Sequence, residues 1–405
     1  MTTVLSETTE NGEAGKAATA TTPGGRRLAY NGPAIFSQGF RPFFLAAGVL
    51  AVVALPLWML QFLGAVTLPG VPDPLAWHIH EMLFGYLSAA LAGFLLTAIP
   101  NWTGRLPIAG RALMALFGLW LAGRTAMLLD AGGAAGIAVA LAFLVALSAV
   151  VWREVIAAGN HRNLPICLLV TTLAAAQAVF LIGEVALGMR IGFATAAMMI
   201  LLVGGRIIPS FTTNWLKKQQ ATSLPAPFGS YDKIALGISL VALVCWVALP
   251  EAAVTGAGFT IAAAANLWRL ARWRGPATLR EPLLLVLHIA FAWLPLAFAL
   301  FALSILAPDH VSGQQALHAL GAGGIGMMTL AVMTRAALGH SGQALQAGAA
   351  TSAAYVLVFL GAAARVAADW TTEPTAILHL GAASWTIGFL IFVLRFTPIL
   401  AIRRS

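Results

Sequence analysis

Twelve apolar runs, each about as long as a bilayer is thick, dominate this chain. They fall near 43–64, 77–99, 111–130, 132–152, 163–184, 191–212, 233–250, 252–271, 282–306, 312–337, 350–368 and 376–399, cut by Pro, Gly or charge. A run of about 20 apolar residues crosses hydrocarbon as a helix, because only a helix satisfies its own backbone there. Of the 405 residues, 60% are hydrophobic and 9% charged, which excludes an ordinary soluble domain. The sequence therefore predicts an all-α polytopic membrane protein with about twelve transmembrane helices. Residues 1–29 are rich in Thr, Ala, Gly and Glu without an apolar core. They read as a disordered cytoplasmic tail and not a signal peptide. Residues 30–405 read as a single transmembrane domain.

The net charge of +9 invites a nucleic-acid reading, but its distribution argues for topology instead. With the N- and C-termini both cytoplasmic, all but three of the 23 Lys and Arg fall on inner ends. The three are Arg124, inside the third run, and Arg190 and Arg365, at outer ends. The outer loops carry Asp73, Asp130, Glu184, Glu251, Asp309, Asp369 and Glu373. This is the positive-inside pattern, and a miscount of one helix would reverse it downstream. Membrane lipid is the expected partner, and nucleic acid is not.

A weak repeat runs beneath the count. The second run closes with Ile99-Pro100-Asn101-Trp102-Thr103 and the sixth with Ile208-Pro209-Ser210-Phe211-Thr212; the tenth has Met333-Thr334-Arg335 at the corresponding place. That suggests a four-helix unit used three times in parallel. A plainer account is that Pro and aromatic residues often end membrane helices at the interface.

The second run carries the first unusual chemistry. Asp73 and Pro74 suit an N-cap and a first helical position. From Pro74 to Ile99 the helix covers about 39 Å at ~1.5 Å per residue. His78 and Glu81 are three apart and share a face with Met82, whereas His80 points about 200° away from His78. One helix thus offers two imidazoles to two neighbours. Ionisable groups at this depth are expensive and usually have a task. Glu81 suits a partner that orients an imidazole, a proton carrier, or a carboxylate favoured by the helix start.

In the tenth run, Ser312 and Gln315 form a capping box, and His318 follows one turn in. Gly321, Gly323, Gly324 and Gly326 then admit either a close helix or a flat ligand such as a porphyrin. His288 lies in the ninth run and His340 just past the tenth. His161 and His310 fall in loops, and His379 begins the twelfth run. Imidazole suits iron, copper and zinc, and a haem iron takes axial His. Cys167 and Cys245 form no CxxC pair and read as buried thiols. Arg206 and Arg335, at inner helix ends, suit snorkelling anchors or binding of a propionate, a quinol or a lipid head.

Several stretches resemble the NnrS family of bacterial membrane proteins. They are Gly39-Phe40-Arg41-Pro42-Phe43-Phe44, Trp77 to Gly85 (WHIHEMLFG), Gly93 to Arg105 (GFLLTAIPNWTGR) and His318 to His340. The resemblance implies haem b and copper, an inner-membrane location, and nitric oxide metabolism. It carries the family's histidine positions onto His78, His80, His288, His318 and His340. One reading is a haem-based NO reductase, fed electrons by quinol and protons through Glu81, in which His80 and His318 hold haem and His78 sits nearer another metal. Another is an NO- or copper-binding sensor or accessory protein without turnover. A third, from helix number and repeats, is a secondary transporter.

Overall fold

The computed structural model describes Tyr30 and residues 32–402. The expected tail over residues 1–29 lies outside the described residues. What is described is helical, without strands. Twelve long helices follow one another: α1 (Phe40–Phe62), α2 (Pro74–Thr103), α3 (Arg111–Leu129), α4 (Ala134–Ala157), α5 (His161–Leu181) and α6 (Val185–Lys218). Then come α7 (Ser230–Ala248), α8 (Ala253–Ala271), α9 (Pro282–Leu306), α10 (Gly313–His340), α11 (Ala349–Ala367) and α12 (Pro374–Ala401). Eleven are long and apolar enough to cross a membrane. The other, α8, has Asn266 and Arg269 inside it; Asn266 donates to Ser239 Oγ at 2.8 Å and Arg269 to Asp232 at 2.7 Å, both on α7.

The predicted caps form. Asp73 Oδ1 accepts from the amides of Leu75 and Ala76 at 2.9 and 3.0 Å. On α10 the Ser312 amide donates to Gln315 Oε1 at 2.9 Å, and the Gln315 amide returns a bond to Ser312 Oγ. Gln315 also donates to the Val366 carbonyl at 2.9 Å, tying the start of α10 to the end of α11.

Burial separates an inner group from an outer ring. In α2, α9, α10 and α6, 78, 72, 67 and 56% of the apolar span is buried, against 28–44% in the other seven spans. Helices next in sequence pack as neighbours, and α1 packs on α12 to close the ring. Lipid is as apolar as Leu, so close fit and buried polar bonds hold such a bundle. Gly361 and Gly381 let α11 and α12 touch, since a Cβ on Gly361 would lie 2.9 Å from the Gly381 carbonyl. Arg41, at the start of α1, donates to the Ile399 and Leu400 carbonyls at 3.0 and 2.9 Å. The two ends of the described chain therefore share one face, here the terminal face. The other is the far face.

Three of the inner helices are locally widened. A π-helical turn occupies Glu81–Tyr86 in α2, Ile200–Gly204 in α6 and Ala319–Gly326 in α10. Such turns are rare, tend to occur at functional sites, and disturb the regular backbone ladder. Side chains from the outer ring reach two of these turns. Trp120 on α3 donates to the Gly85 carbonyl at 3.0 Å, and Arg269 on α8 donates to the Leu201 carbonyl at 2.9 Å.

Candidate functional site

The two histidines of α2 go to different neighbours, as their spacing requires. His80 is fully buried. Its Nδ1–H donates to Glu81 Oε1 at 3.0 Å, which leaves Nε2 to accept from Gln177 of α5 at 3.1 Å. Gln177 also donates to the Ala140 carbonyl. Arg124 of α3 donates to the same Glu81 oxygen at 2.7 Å. The result is a closed chain, Arg124–Glu81–His80–Gln177, linking α3, α2 and α5. Glu81 thus serves His80, not the face it shares with His78 by spacing. The guanidinium of Arg124, brought by another helix, sets its direction.

His78 turns the other way. Its ring stacks on Trp58 of α1, with centroids 4.2 Å apart and planes 26° from parallel. Its Nδ1 is buried with no hydrogen-bond partner among the described residues. It lies within electrostatic reach of His318 and Arg365. His318, one turn into α10, bonds the Gln314 carbonyl through Nδ1 at 2.8 Å. A carbonyl only accepts, so Nδ1 carries the proton and Nε2 keeps a free lone pair. Arg365 acts electrostatically on His318 as well. Two imidazoles with uncommitted nitrogens therefore stand near the far-face ends of α2 and α10, with the Arg365 guanidinium within electrostatic reach.

The remaining predicted residues lie toward the terminal face. His288 of α9 meets Thr212 Oγ1 through Nε2 at 3.0 Å. The Thr212 hydroxyl spends its proton on the Ile208 carbonyl, so the imidazole donates, and Nδ1 is left buried without a partner. The His340 ring lies against Phe40, with centroids 5.8 Å apart. Arg206 rests over Phe228 and Arg335 over Phe211, at 5.8 and 4.4 Å. None of these four joins the His78–His318 group.

A family model described as NnrS protein matches residues 34–404. The chain belongs to the NnrS family. No curated protein matches it. Membership of the NnrS family points to a role in the nitric oxide response and an association with metal or haem binding.

The far-face pair can be tested against such a group. Among the described residues no three His, Cys, Asp or Glu are placed to hold a bare ion. A haem iron asks for less, since the macrocycle supplies four ligands and the protein only the axial ones. The bare Nδ1 of His78 and the fixed tautomer of His318 fit that demand. The glycines of α10 do not form the flat bed. A Cβ at Gly323 or Gly326 would strike the ring of Trp293 or Trp385, and one at Gly321 would meet Phe193 at 3.2 Å. That stripe packs helices.

Gln177, Trp58, Trp120 and Arg365 complete the site but were not singled out from sequence. Only Arg365 gave a signal, as a cation on the wrong side of the charge pattern. Cys167 is buried as expected, but Cys245 is only partly so.

Proposed function

We propose that this protein is a haem-bearing protein of the bacterial inner membrane that reduces nitric oxide to nitrous oxide with electrons from membrane quinol. What supports this most is that His78 of α2 and His318 of α10, each near the far-face end of its inner helix, both keep an uncommitted ring nitrogen. The charge pattern makes the terminal face cytoplasmic and the far face external. Two NO, two electrons and two protons give N2O and water. A quinol supplies both electrons and both protons and leaves as quinone.

A haem b iron, when bound, would supply the NO-binding and electron-transfer chemistry. Copper, the family's other implied metal, takes the same imidazole donors. The chain's own residues do the rest. His78 and His318 would hold the metal. The Gln314 carbonyl fixes the His318 tautomer, which leaves Nε2 with a lone pair that would serve as a ligand. Glu81 and His80 share a hydrogen bond along which a proton can pass, and we assign proton delivery to that pair. Arg206 and Arg335, each over an aromatic ring at the terminal face, suit lipid headgroups. His288 and His340 act there as packing residues or a second centre.

Nitric oxide is small and apolar, so it enters from lipid. A cavity of about 90 Å³ lies between α2, α6 and α10, lined by Leu91, Met199, Val203, Met328 and Met333 among others. Its wall is almost wholly apolar, the kind of space that stays dry and admits small apolar guests.

The test uses purified full-length protein. It should show a Soret band, consume NO with a reduced quinol analogue, and release N2O; His78→Ala and His318→Ala should each remove the haem spectrum. No haem absorption in the wild type would overturn the reading. One observation favours a second reading, binding of NO without turnover: Glu81 is already held by Arg124 and His80. A spectral shift with NO but no N2O would decide for it.

A further inference from the structure

The terminal face carries a second cavity, of about 300 Å³, remote from the far-face histidines. That volume is at the lower end of the range for ligand pockets. Three elements meet around it: the start of α1, the turn after α10 and the end of α12. Arg41, Ser341, Gln343 and Arg395 line its polar side, and Pro398 and Ile402 its apolar side. Among the described residues that line it, none is Asp or Glu. The segments 335–348 and 391–402, which supply most of the wall, contain none either.

The Arg41 guanidinium is fixed in place on this wall. Its Nη1 donates to the Ile399 and Leu400 carbonyls at 3.0 and 2.9 Å, and at 3.5 Å to that of Ile402. These are the last carbonyls of α12, whose partial negative charge would otherwise repel an anion. Arg41 offsets that charge, and Arg395, one turn before the helix end, is exposed. Ser341 points more directly to a guest. It follows the last residue of α10, and its hydroxyl is buried with no hydrogen-bond partner among the described residues. A buried hydroxyl left so is costly. Because Ser341 lines the cavity, a guest there is placed to supply the acceptor.

The chemistry of the wall selects the guest. Two guanidinium groups without a carboxylate suit an anion, and a hydroxyl and a primary amide add neutral donors. The Pro398 and Ile402 side gives nothing to a free ion but suits an anion carried on a hydrocarbon body. The cavity lies at the last turn of a membrane span, and basic pockets between such helices take anionic headgroups. We propose that this cavity holds the phosphate diester of an anionic phospholipid. Arg41 and Arg395 face its oxygens, Ser341 donates to it, and the glycerol end of the lipid lies against Pro398 and Ile402. A headgroup so placed bridges α1, α10 and α12 where the ring closes. The inference is independent of the metal chemistry proposed for the far face.

The test is titration of purified full-length protein in detergent with phosphatidylglycerol and with phosphatidylcholine, counting bound lipid by native mass spectrometry. Both carry a phosphate, but only the first carries net charge. Wild type should hold phosphatidylglycerol about tenfold more tightly, as for one charge-assisted bond. Arg395→Gln should shrink that preference several-fold, and Arg395→Lys should restore part of it. Ser341→Ala should weaken phosphatidylglycerol binding several-fold. Lys218→Gln removes an exposed terminal-face cation outside the cavity and should change neither. Gel filtration confirms that each variant is folded. Equal binding of the two lipids by wild type overturns the proposal, as does unchanged binding in both Arg395→Gln and Ser341→Ala. A loss in Lys218→Gln as large as in Arg395→Gln would assign the preference to overall charge and overturn it too. Inorganic phosphate is the third probe, and displacement of the lipid by phosphate at equal concentration would give the cavity to a free anion instead.

Discussion

At the scale of residues, the buried ion pairs set the strongest constraint. Glu81 and Arg124 are both almost fully buried, where a lone charge is far more costly than a pair. Arg124→Met would strand the carboxylate beside His80, and we expect a loss of about 3–5 kcal/mol. The double variant Glu81→Gln with Arg124→Met removes both charges and should unfold at a higher temperature than the single one. Thermal unfolding in detergent checks the order; a double variant less stable than Arg124→Met would mean the charges are not the reason. Sequence made part of this legible. The two-residue step from His78 to His80 already sent the rings to different neighbours. It did not reveal that Glu81 turns to His80, because the decisive Arg124 sits on another helix. Nothing in the local spacing of α2 points to it.

At the scale of elements, the inner helices combine apolar length with local irregularity. Their existence was legible from hydropathy, and the caps at Asp73 and Ser312 from residue type. The π turns were not. A widened turn depends on which neighbour satisfies the disturbed carbonyls, as Trp120 does at Gly85 and Arg269 at Leu201. The glycines of α10 left two readings open, close packing or a flat ligand, and the rings of Trp293 and Trp385 fill the space. Gly326→Val should therefore push on Trp385 and destabilise the protein by about 1–3 kcal/mol, the usual range for overpacking. Gly118→Ala on α3, with nothing within 4 Å of the added carbon, should change little. Comparing their resistance to heat-induced aggregation in detergent separates tight packing from a general intolerance of side chains at helical glycines. Similar losses in both variants would count against the packing account.

At the scale of the whole molecule, charge and length settle most of the architecture, and three-dimensional convergence settles the site. Twelve helices could be counted because each is long and bounded by Gly, Pro or charge, and eleven of them are apolar enough to span. That His78 stacks on Trp58 while His318 bonds the Gln314 carbonyl could not be read from sequence, since it depends on how the helices pack inside the ring. The bond from Arg41 to the end of α12 puts both ends of the described chain on one face, and the charge pattern predicts a cytoplasmic location for that face. The assignment has a direct consequence for labelling. In a background of Cys167→Ala and Cys245→Ala, a single cysteine at Glu251 lies in the α7–α8 loop on the far face. One at Ser223 lies in the α6–α7 loop on the terminal face, and both positions are exposed. A membrane-impermeant maleimide added to intact cells should label Glu251→Cys and leave Ser223→Cys untouched until the membrane is opened. The reverse result would put the far-face histidines on the cytoplasmic side. A reaction site on the external side, with protons relayed through Glu81, would then fall, because the positive-inside reading on which it rests would have failed for the whole chain.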